Sequence, residues 1–339
     1  MLRLPAFTHA APTTVDETLE LLARPGARLL AGGTDLLPNL KHGIEEAQTV
    51  VSLQRVAELR GLEALPDGGL RLGAMTPLEE VARHPLVRQR WPSVAQAAGL
   101  VAGPHHRRMG TLGGNVCLNT RCVYINQTYF WREALGFCLK KDGDVCHVVK
   151  GGKRCVAAAS NDTAPPLMTH GARLVLSSAA RGRREVPLAE FFVKDGVHNK
   201  ALQGDELLEA VLLPPAPSGT RSAYVKLRPR GSIDFPRLGV AVAYRIGGAE
   251  GMSALAGEAL VSDLRVVVTA LAAVPQELRG VREIAEGKVP GEALWDDIAE
   301  AAYKQCHPLT NIDGDPTYRR EMVAVFVKRG LVAAMVGSS

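Results

Sequence analysis

The sequence predicts an α+β protein of two domains, and three observations carry that prediction. Short apolar runs alternate with helix-start signals through the first third of the chain. From Ala172 the pattern turns to closely spaced strands. A stretch rich in Pro, Gly and Ser, "LLPPAPSGT" (212–220), then separates two regions, each long enough to close a core of its own. With 339 residues, the division falls at 1–215 and 221–335.

The first helix starts at a capping box, Thr14 with Glu17, ahead of Leu19, Leu22 and Ala23. "ARLLAGG" (27–33) reads as a short buried strand running into glycines, and "QTVVSL" (48–53) as a second strand. In "GLRLGAMTPLEEVARH" a strand gives way to a helix with Thr76 as cap, Pro77 at the first helical position and Glu79 in the first turn. "HHRR" (105–108) reads as a polar loop. "ARLVLSS" and "VPLAEFF" are strands about a turn. Beyond the linker come strands at "AYVKLRP", "RLGVAVAYRI" and "DLRVVVTALAAV". Helices follow at "WDDIAEAAYKQC" and at "DPTYRREMVAVFVKRGL", the second capped by Asp315 with Pro316 behind it. Cys306 continues the line of Ile298 and Ala302 on the former, a core position.

Composition narrows the function. Forty basic against 35 acidic residues give a net charge of +5, spread along the chain with few aromatics, so there is no nucleic-acid footprint. No uncharged apolar run approaches the roughly 18 residues of a membrane span. The start "MLRLPAFTHAAPTTVDETLELL" has no apolar signal region before its first carboxylates, so a reducing cytoplasm is expected.

Two glycine loops are the first candidate site. "LLAGGTDLL" (29–37) sets two glycines between a buried strand and a helix start, and "GTLGGN" (110–115) repeats the device. Backbone N–H groups there can face a phosphate with no side chain in the way. Each loop alone reads as a tight turn. As a pair they suit an extended pyrophosphate, although neither is a GxGxxG.

"AGGTDLLP" and "TLGGN" resemble the two flavin-binding signatures of the FAD subunits of molybdenum hydroxylases, the group of xanthine dehydrogenase and carbon monoxide dehydrogenase. The resemblance runs on through "SNDTAPPLMTHGARLVL", "DELLEAVLLPP" and "YVKLRPRGSIDFPRLGVAVAYRI", and so covers nearly the whole chain. It implies an FAD-binding domain of the vanillyl-alcohol-oxidase (PCMH) type followed by a C-terminal α/β domain of the CO dehydrogenase flavoprotein type. Carried over by position, it implies FAD contacts at Leu29, Leu30, Ala31, Gly32, Gly33, Thr34, Asp35, Leu36, Val101, Thr111, Leu112, Gly113, Gly114 and Asn115. Asp162, Leu208 and Lys226 are further implied contacts. From the residues alone, Asp162 also reads as a helix cap before "TAPPLM", and Lys226 as a solvated strand residue.

Four of six cysteines, Cys122, Cys138, Cys146 and Cys155, crowd into an insertion at about 117–158, spaced C-x15-C-x7-C-x8-C. Disulfides are disfavoured in a reducing compartment. Structural zinc usually shows close C-x2–4-C pairs, absent here, and a [4Fe–4S] cluster takes four thiolates from scattered loop positions equally well. Spacing leaves zinc and cluster open; a redox partner for FAD favours the cluster. Cys117 lies outside the four-ligand pattern and reads as a buried small side chain. "YINQTYFW" reads as packing for the insertion or as a shield for the cluster.

The insertion is also similar to that of one branch of the family, the β subunits of 4-hydroxybenzoyl-CoA reductase. This resemblance implies an oxidoreductase subunit, with no catalytic side chain of its own, in anaerobic aromatic degradation. Electrons from a ferredoxin-type donor would pass through the [4Fe–4S] cluster and FAD to a [2Fe–2S] small subunit and a molybdopterin-binding large subunit, in a dimer of heterotrimers. Lys140, Lys141, Lys150, Lys153 and Arg154 flank the cysteines and read either as a docking surface for an acidic donor or as a solvated loop. Two alternatives stand: the FAD subunit of another molybdenum hydroxylase, and a stand-alone flavin reductase with a zinc-stapled loop.

Overall fold

The computed structural model describes residues 2–247 and 259–337. Its first unit holds β1 (Thr8–Ala10), α1 (Val15–Leu22), β2 (Ala27–Leu30), α2 (Leu36–Lys41) and β3 (Thr49–Ser52). The sheet is parallel in the order β1-β3-β2, with Val51 between Ala10 and Leu29. α1 lays Leu19 and Leu22 against Leu53, Val56 and Leu59. Thr14 accepts the Glu17 N–H at 3.2 Å, while the Glu17 carboxylate reaches the Thr13 N–H at 2.7 Å, so the capping box closes one residue early.

An antiparallel sheet follows in the order β4-β5-β8-β6-β7: β4 (Leu62–Ala64), β5 (Leu70–Gly73), β6 (Arg173–Ser178), β7 (Gly182–Pro187) and β8 (Leu207–Leu213). Between β5 and β6 run α3 (Leu78–Arg83), α4 (Pro85–Arg90), α5 (Pro92–Leu100), α6 (Pro104–Met109), α7 (Leu112–Val116), α8 (Tyr129–Ala134) and α9 (Ala164–Thr169). Trp91, Leu112, Leu167, Leu174 and Val211 centre the core between sheet and helices.

Four local expectations need correction. Thr76 does not cap α3: its hydroxyl donates to the Gly61 carbonyl at 3.1 Å, and the helix begins at Leu78. The strand expected at "VPLAEFF" ends at Pro187, and α10 (Leu188–Phe191) buries Leu188 and Phe191 at helical spacing. Leu212 and Leu213, assigned to the linker, extend β8 and pair with β5. "HHRR" lies within α6, which starts on Pro104, and Arg107 pairs with Glu79 at 3.0 Å.

The second domain has β9 (Thr220–Leu227), β10 (Leu238–Gly247), β11 (Leu260–Thr269) and β12 (Gln276–Glu277) in the antiparallel order β12-β11-β10-β9. α11 (Val281–Ala285), α12 (Glu292–Gln305) and α13 (Pro316–Val336) cover one face, and α5 and α9 of the first domain cover the other. That is why β10 reads as an unbroken apolar run: Val240, Val242 and Tyr244 meet the helices, while Ala241 meets Ala97 and Tyr224. Asp315 accepts the Tyr318 N–H at 2.8 Å and caps α13 as expected. Cys306 is buried in this core, though it sits just past the end of α12 rather than on it.

His170 lies where the domains meet, with Nε2 3.0 Å from the Ser93 hydroxyl. Burial, reinforced by the charge of Arg265, pushes its pKa from 6.5 down to about 4. The folded protein therefore refuses a proton that the unfolded chain accepts. The resulting stability is complete above pH 6.5 and is lost as pH falls towards about 4. The loss amounts to about 3 kcal/mol. Urea unfolding of His170→Gln should show a shallower acid limb across that window; an unchanged slope would contradict the assignment.

Candidate functional site

The two glycine loops face each other across a cleft of about 360 Å³. Gly33 takes φ +74°, a conformation that favours glycine. A Cβ on Gly32 would lie 1.8 Å from the Met109 carbonyl oxygen, so only glycine lets this loop pass the end of α6. Thr111 caps α7 by accepting the Gly114 N–H at 3.1 Å, and Asn115 holds Thr163 through its N–H (3.0 Å) and its hydroxyl (2.7 Å).

Leu29, Ala31, Gly32, Gly33, Thr34, Asp35, Leu36, Val101, Thr111, Gly114 and Asn115 line the cleft. The other expected contacts do not form its wall. Leu112 and Leu208 are buried in the core, and Gly113 is packed against Ala74. Leu30 follows Leu29 on β2 without facing the cleft. The wall also includes residues that sequence reasoning did not select: Leu78, Ala102, His106, Gly110, Cys117, Leu118, Ile233 and Phe235. Ile233 and Phe235 come from the second domain, on the loop between β9 and β10.

Asp162 and Lys226 stand behind the cleft as a buried pair. The Asp162 carboxylate accepts from the Tyr224 hydroxyl at 2.7 Å and from Lys226 Nζ at 2.9 Å. Lys226 and Arg228 also donate to the Leu100 carbonyl, at 3.1 and 3.3 Å, next to Val101 in the cleft wall. Both side chains of the pair are shut off from water, so the helix-cap and solvated-strand readings fall away. Burial pushes the Asp162 pKa up against the pull of Lys226, and pushes that of Lys226 down. Gly239 sits opposite Lys226, and a Cβ there would lie 2.3 Å from the Tyr224 hydroxyl oxygen, so its bareness admits that bond.

The four cysteines of the insertion converge. Cys122, Cys138, Cys146 and Cys155 line one small cavity, about 20 Å³, with Tyr124, Ile125, Lys140 and His147. The N–H groups of Val149 and Ala157 point at the sulfurs of Cys146 and Cys155, each at 3.5 Å. Among the described residues, no three His, Cys, Asp or Glu side chains meet at one metal-ion position; the thiols stand around a space instead. Burial pushes the Cys122 thiol up to about 11, and the other three sulfurs add to the rise. A bound metal would reverse this by deprotonating the thiols. Phe137 and Asp142, on either side of Cys138, both take positive φ, so the turn holding that cysteine is strained. Cys117 lies apart from the four, on the cleft wall. The "YINQTYFW" run divides: Tyr124 and Ile125 pack at the cavity, whereas Tyr129 and Phe130 face solvent.

A further pocket lies between cavity and cleft, sharing Cys122 with the one and Phe235 with the other. Arg121, next to Cys122, pairs with Asp35 of the first glycine loop and lays its guanidinium over the Phe235 ring, 4.4 Å from the centroid. The basic residues of the insertion do not act alike. Lys150, Lys153 and Arg154 are exposed, and Lys141 pairs with Glu46 (2.8 Å) and Asp142 (3.5 Å). Lys140 turns inward to Asn119 Oδ1 (3.0 Å), the Thr120 hydroxyl and the Gly196 carbonyl. Burial lowers its pKa to about 8, with Cys155 pulling it back up.

Residues 5–216 match the model of the FAD binding domain in molybdopterin dehydrogenase, and residues 223–334 that of the CO dehydrogenase flavoprotein C-terminal domain. Fold and cleft thus define an FAD-binding oxidoreductase subunit. The chain is 30% identical to the carbon monoxide dehydrogenase medium chain of Hydrogenophaga pseudoflava, over 97% of each. With the xanthine dehydrogenase FAD-binding subunit of Escherichia coli O157:H7 it is 25% identical, over 98% of this chain and 97% of the relative. A solved carbon monoxide dehydrogenase from H. pseudoflava superposes with a TM-score of 0.78 at 28% identity, covering 98% of this chain and 99% of that one. The chain belongs to the FAD-binding medium subunits of the xanthine dehydrogenase and CO dehydrogenase family of molybdenum hydroxylases.

An added Cβ on Gly114 meets only the Thr111 hydroxyl, at 3.1 Å, which must give by a few tenths of an ångström, and a longer side chain there enters the cleft that Gly114 lines. Gly114→Leu should keep the unfolding midpoint near that of the native chain while losing most bound FAD, measured by flavin absorbance per protein. Full flavin occupancy would mean that the pyrophosphate lies elsewhere.

Proposed function

We propose that this chain is the FAD- and [4Fe–4S]-bearing electron-transfer subunit of a molybdenum-containing complex of the 4-hydroxybenzoyl-CoA reductase kind. The single observation that carries the reading is the ring of four thiols about one cavity, joined to the FAD cleft through Arg121, which pairs with the cleft residue Asp35 on one side and precedes Cys122 on the other. Four sulfurs spread around a space suit a polynuclear cluster better than one zinc ion, and two backbone N–H groups aimed at sulfur suit a thiolate-held redox centre.

FAD exchanges electrons singly or in pairs, and an iron–sulfur cluster exchanges them singly. The chain's own part is to hold both. Gly32, Gly33, Thr111 and Gly114 leave backbone open to the pyrophosphate. Cys122, Cys138, Cys146 and Cys155 are the ligands of the cluster. Arg121 and Phe235, stacked on each other, line the pocket that lies between the two sites. No side chain serves as general acid or base.

The name "medium chain" borne by the CO dehydrogenase relative supports a multi-subunit assembly. Here the partners are a molybdopterin-binding large subunit and a [2Fe–2S] small subunit, in a dimer of heterotrimers, with a ferredoxin-type donor. The aromatic-CoA substrate would bind in the large subunit, so a sister enzyme with another substrate and the same electron path is the second reading. The relatives, which act on carbon monoxide and xanthine by name, favour keeping it open.

Anaerobic purification should give about four irons per FAD for this chain. Cys138→Ser should lose that iron and retain FAD, because the sites are built on different loops; equal loss of flavin would tie the insertion to the fold itself. The intact complex, supplied with a low-potential reductant, should dehydroxylate 4-hydroxybenzoyl-CoA. Turnover of xanthine or nicotine instead would move it to the sister enzyme.

A further inference from the structure

The ammonium of Lys140 is directed at three neutral oxygens: Asn119 Oδ1, the Thr120 hydroxyl and the Gly196 carbonyl. Among the described residues it makes no ion pair with a carboxylate, in contrast to Lys141 beside it. Glu45 is reached only through Asn119, whose amide donates to it at 3.1 Å. An inward cation without a counter-charge is costly to keep. Lys140 nonetheless lines the same cavity as the four thiols. The Gly196 peptide that it grips lies against Cys155, close enough that a Cβ on Gly196 would come within 2.6 Å of the sulfur.

On the other side, Asn119 and Thr120 directly follow Cys117 and Leu118 of the cleft wall. Lys140 thus faces the thiol cavity while holding the loop that runs on from the cleft wall, and among the described residues no carboxylate pairs with it directly. A negatively charged group held by the four sulfurs would supply the missing partner.

We infer that Lys140 is a positioning residue for electron transfer: its positive charge is the counter-ion of the thiolate-held cluster and raises that cluster's reduction potential. The inference rests on the cluster reading above and adds to it the residue that tunes the cluster. A cation beside a redox centre favours the form carrying the extra electron, so its removal moves the potential to more negative values.

The test is an EPR-monitored redox titration of the anaerobically purified complex, with iron and FAD content measured alongside. Lys140→Gln keeps a hydrogen-bonding head without the charge, and Lys140→Arg keeps the charge. The expected result is a negative shift of the cluster potential in Lys140→Gln, at native iron and FAD content, with Lys140→Arg close to the native value. Loss of iron from Lys140→Gln but not from Lys140→Arg equally supports the charge. An unchanged or more positive potential in a fully loaded Lys140→Gln overturns the inference, as does loss of iron from both variants. Absence of the cluster from the native complex would instead overturn the reading on which the inference rests.

Discussion

The buried carboxylate of Asp162 holds this molecule together. It comes from the turn before α9, and its two partners, Tyr224 and Lys226, come from β9 across the domain boundary. Breaking a buried pair by removing one member typically costs about 3–5 kcal/mol, because the other is left charged and dry. Lys226 also fixes the Leu100 carbonyl, so this contact ties the second domain to the cleft wall at Val101. The loop bearing Ile233 and Phe235 can then close the cleft only because β9 is anchored where it is. The bare Gly239 is the complementary requirement.

A second layer of charge joins the cleft to the insertion. Arg121 reaches Asp35 in the glycine loop and Phe235 in the second domain, and its neighbour Cys122 opens on the thiol cavity. Arg132 fastens the far side of the insertion, donating to the carbonyls of His42 and Gly43 at 3.0 Å each, at the end of α2. The cysteine-bearing segment is therefore packed onto the FAD domain at several points, among them Asp35 beside the flavin cleft, the end of α2 and Glu46.

Local signals in the sequence located the parts that local physics determines. The glycine loops were legible only as a pair: each alone reads as a tight turn, and two of them together suit an extended pyrophosphate. Asp315 and Thr14 were legible as caps because side-chain oxygens at those positions satisfy free N–H groups. Legibility failed where a residue's partner is distant in sequence. Thr76 looked like a cap but spends its hydroxyl on Gly61. Asp162 looked like a cap but serves the other domain, and nothing around "GSIDFP" says that Ile233 and Phe235 will cover a cleft built some 200 residues earlier. Lys140 read as one of five surface cations, and only the fold turns it inward. The family resemblance reached Asp162 and Lys226 without saying that they bind each other.

The account turns on what the four thiols hold. The most direct measurement is anomalous diffraction from crystals of the anaerobic complex, with data collected on both sides of the iron absorption edge. The account predicts an iron signal inside the cavity of Cys122, Cys138, Cys146 and Cys155, with FAD density along the Gly32 and Gly114 loops. A signal that appears only at the zinc edge, or a cavity with no metal beside a fully occupied FAD, would contradict it.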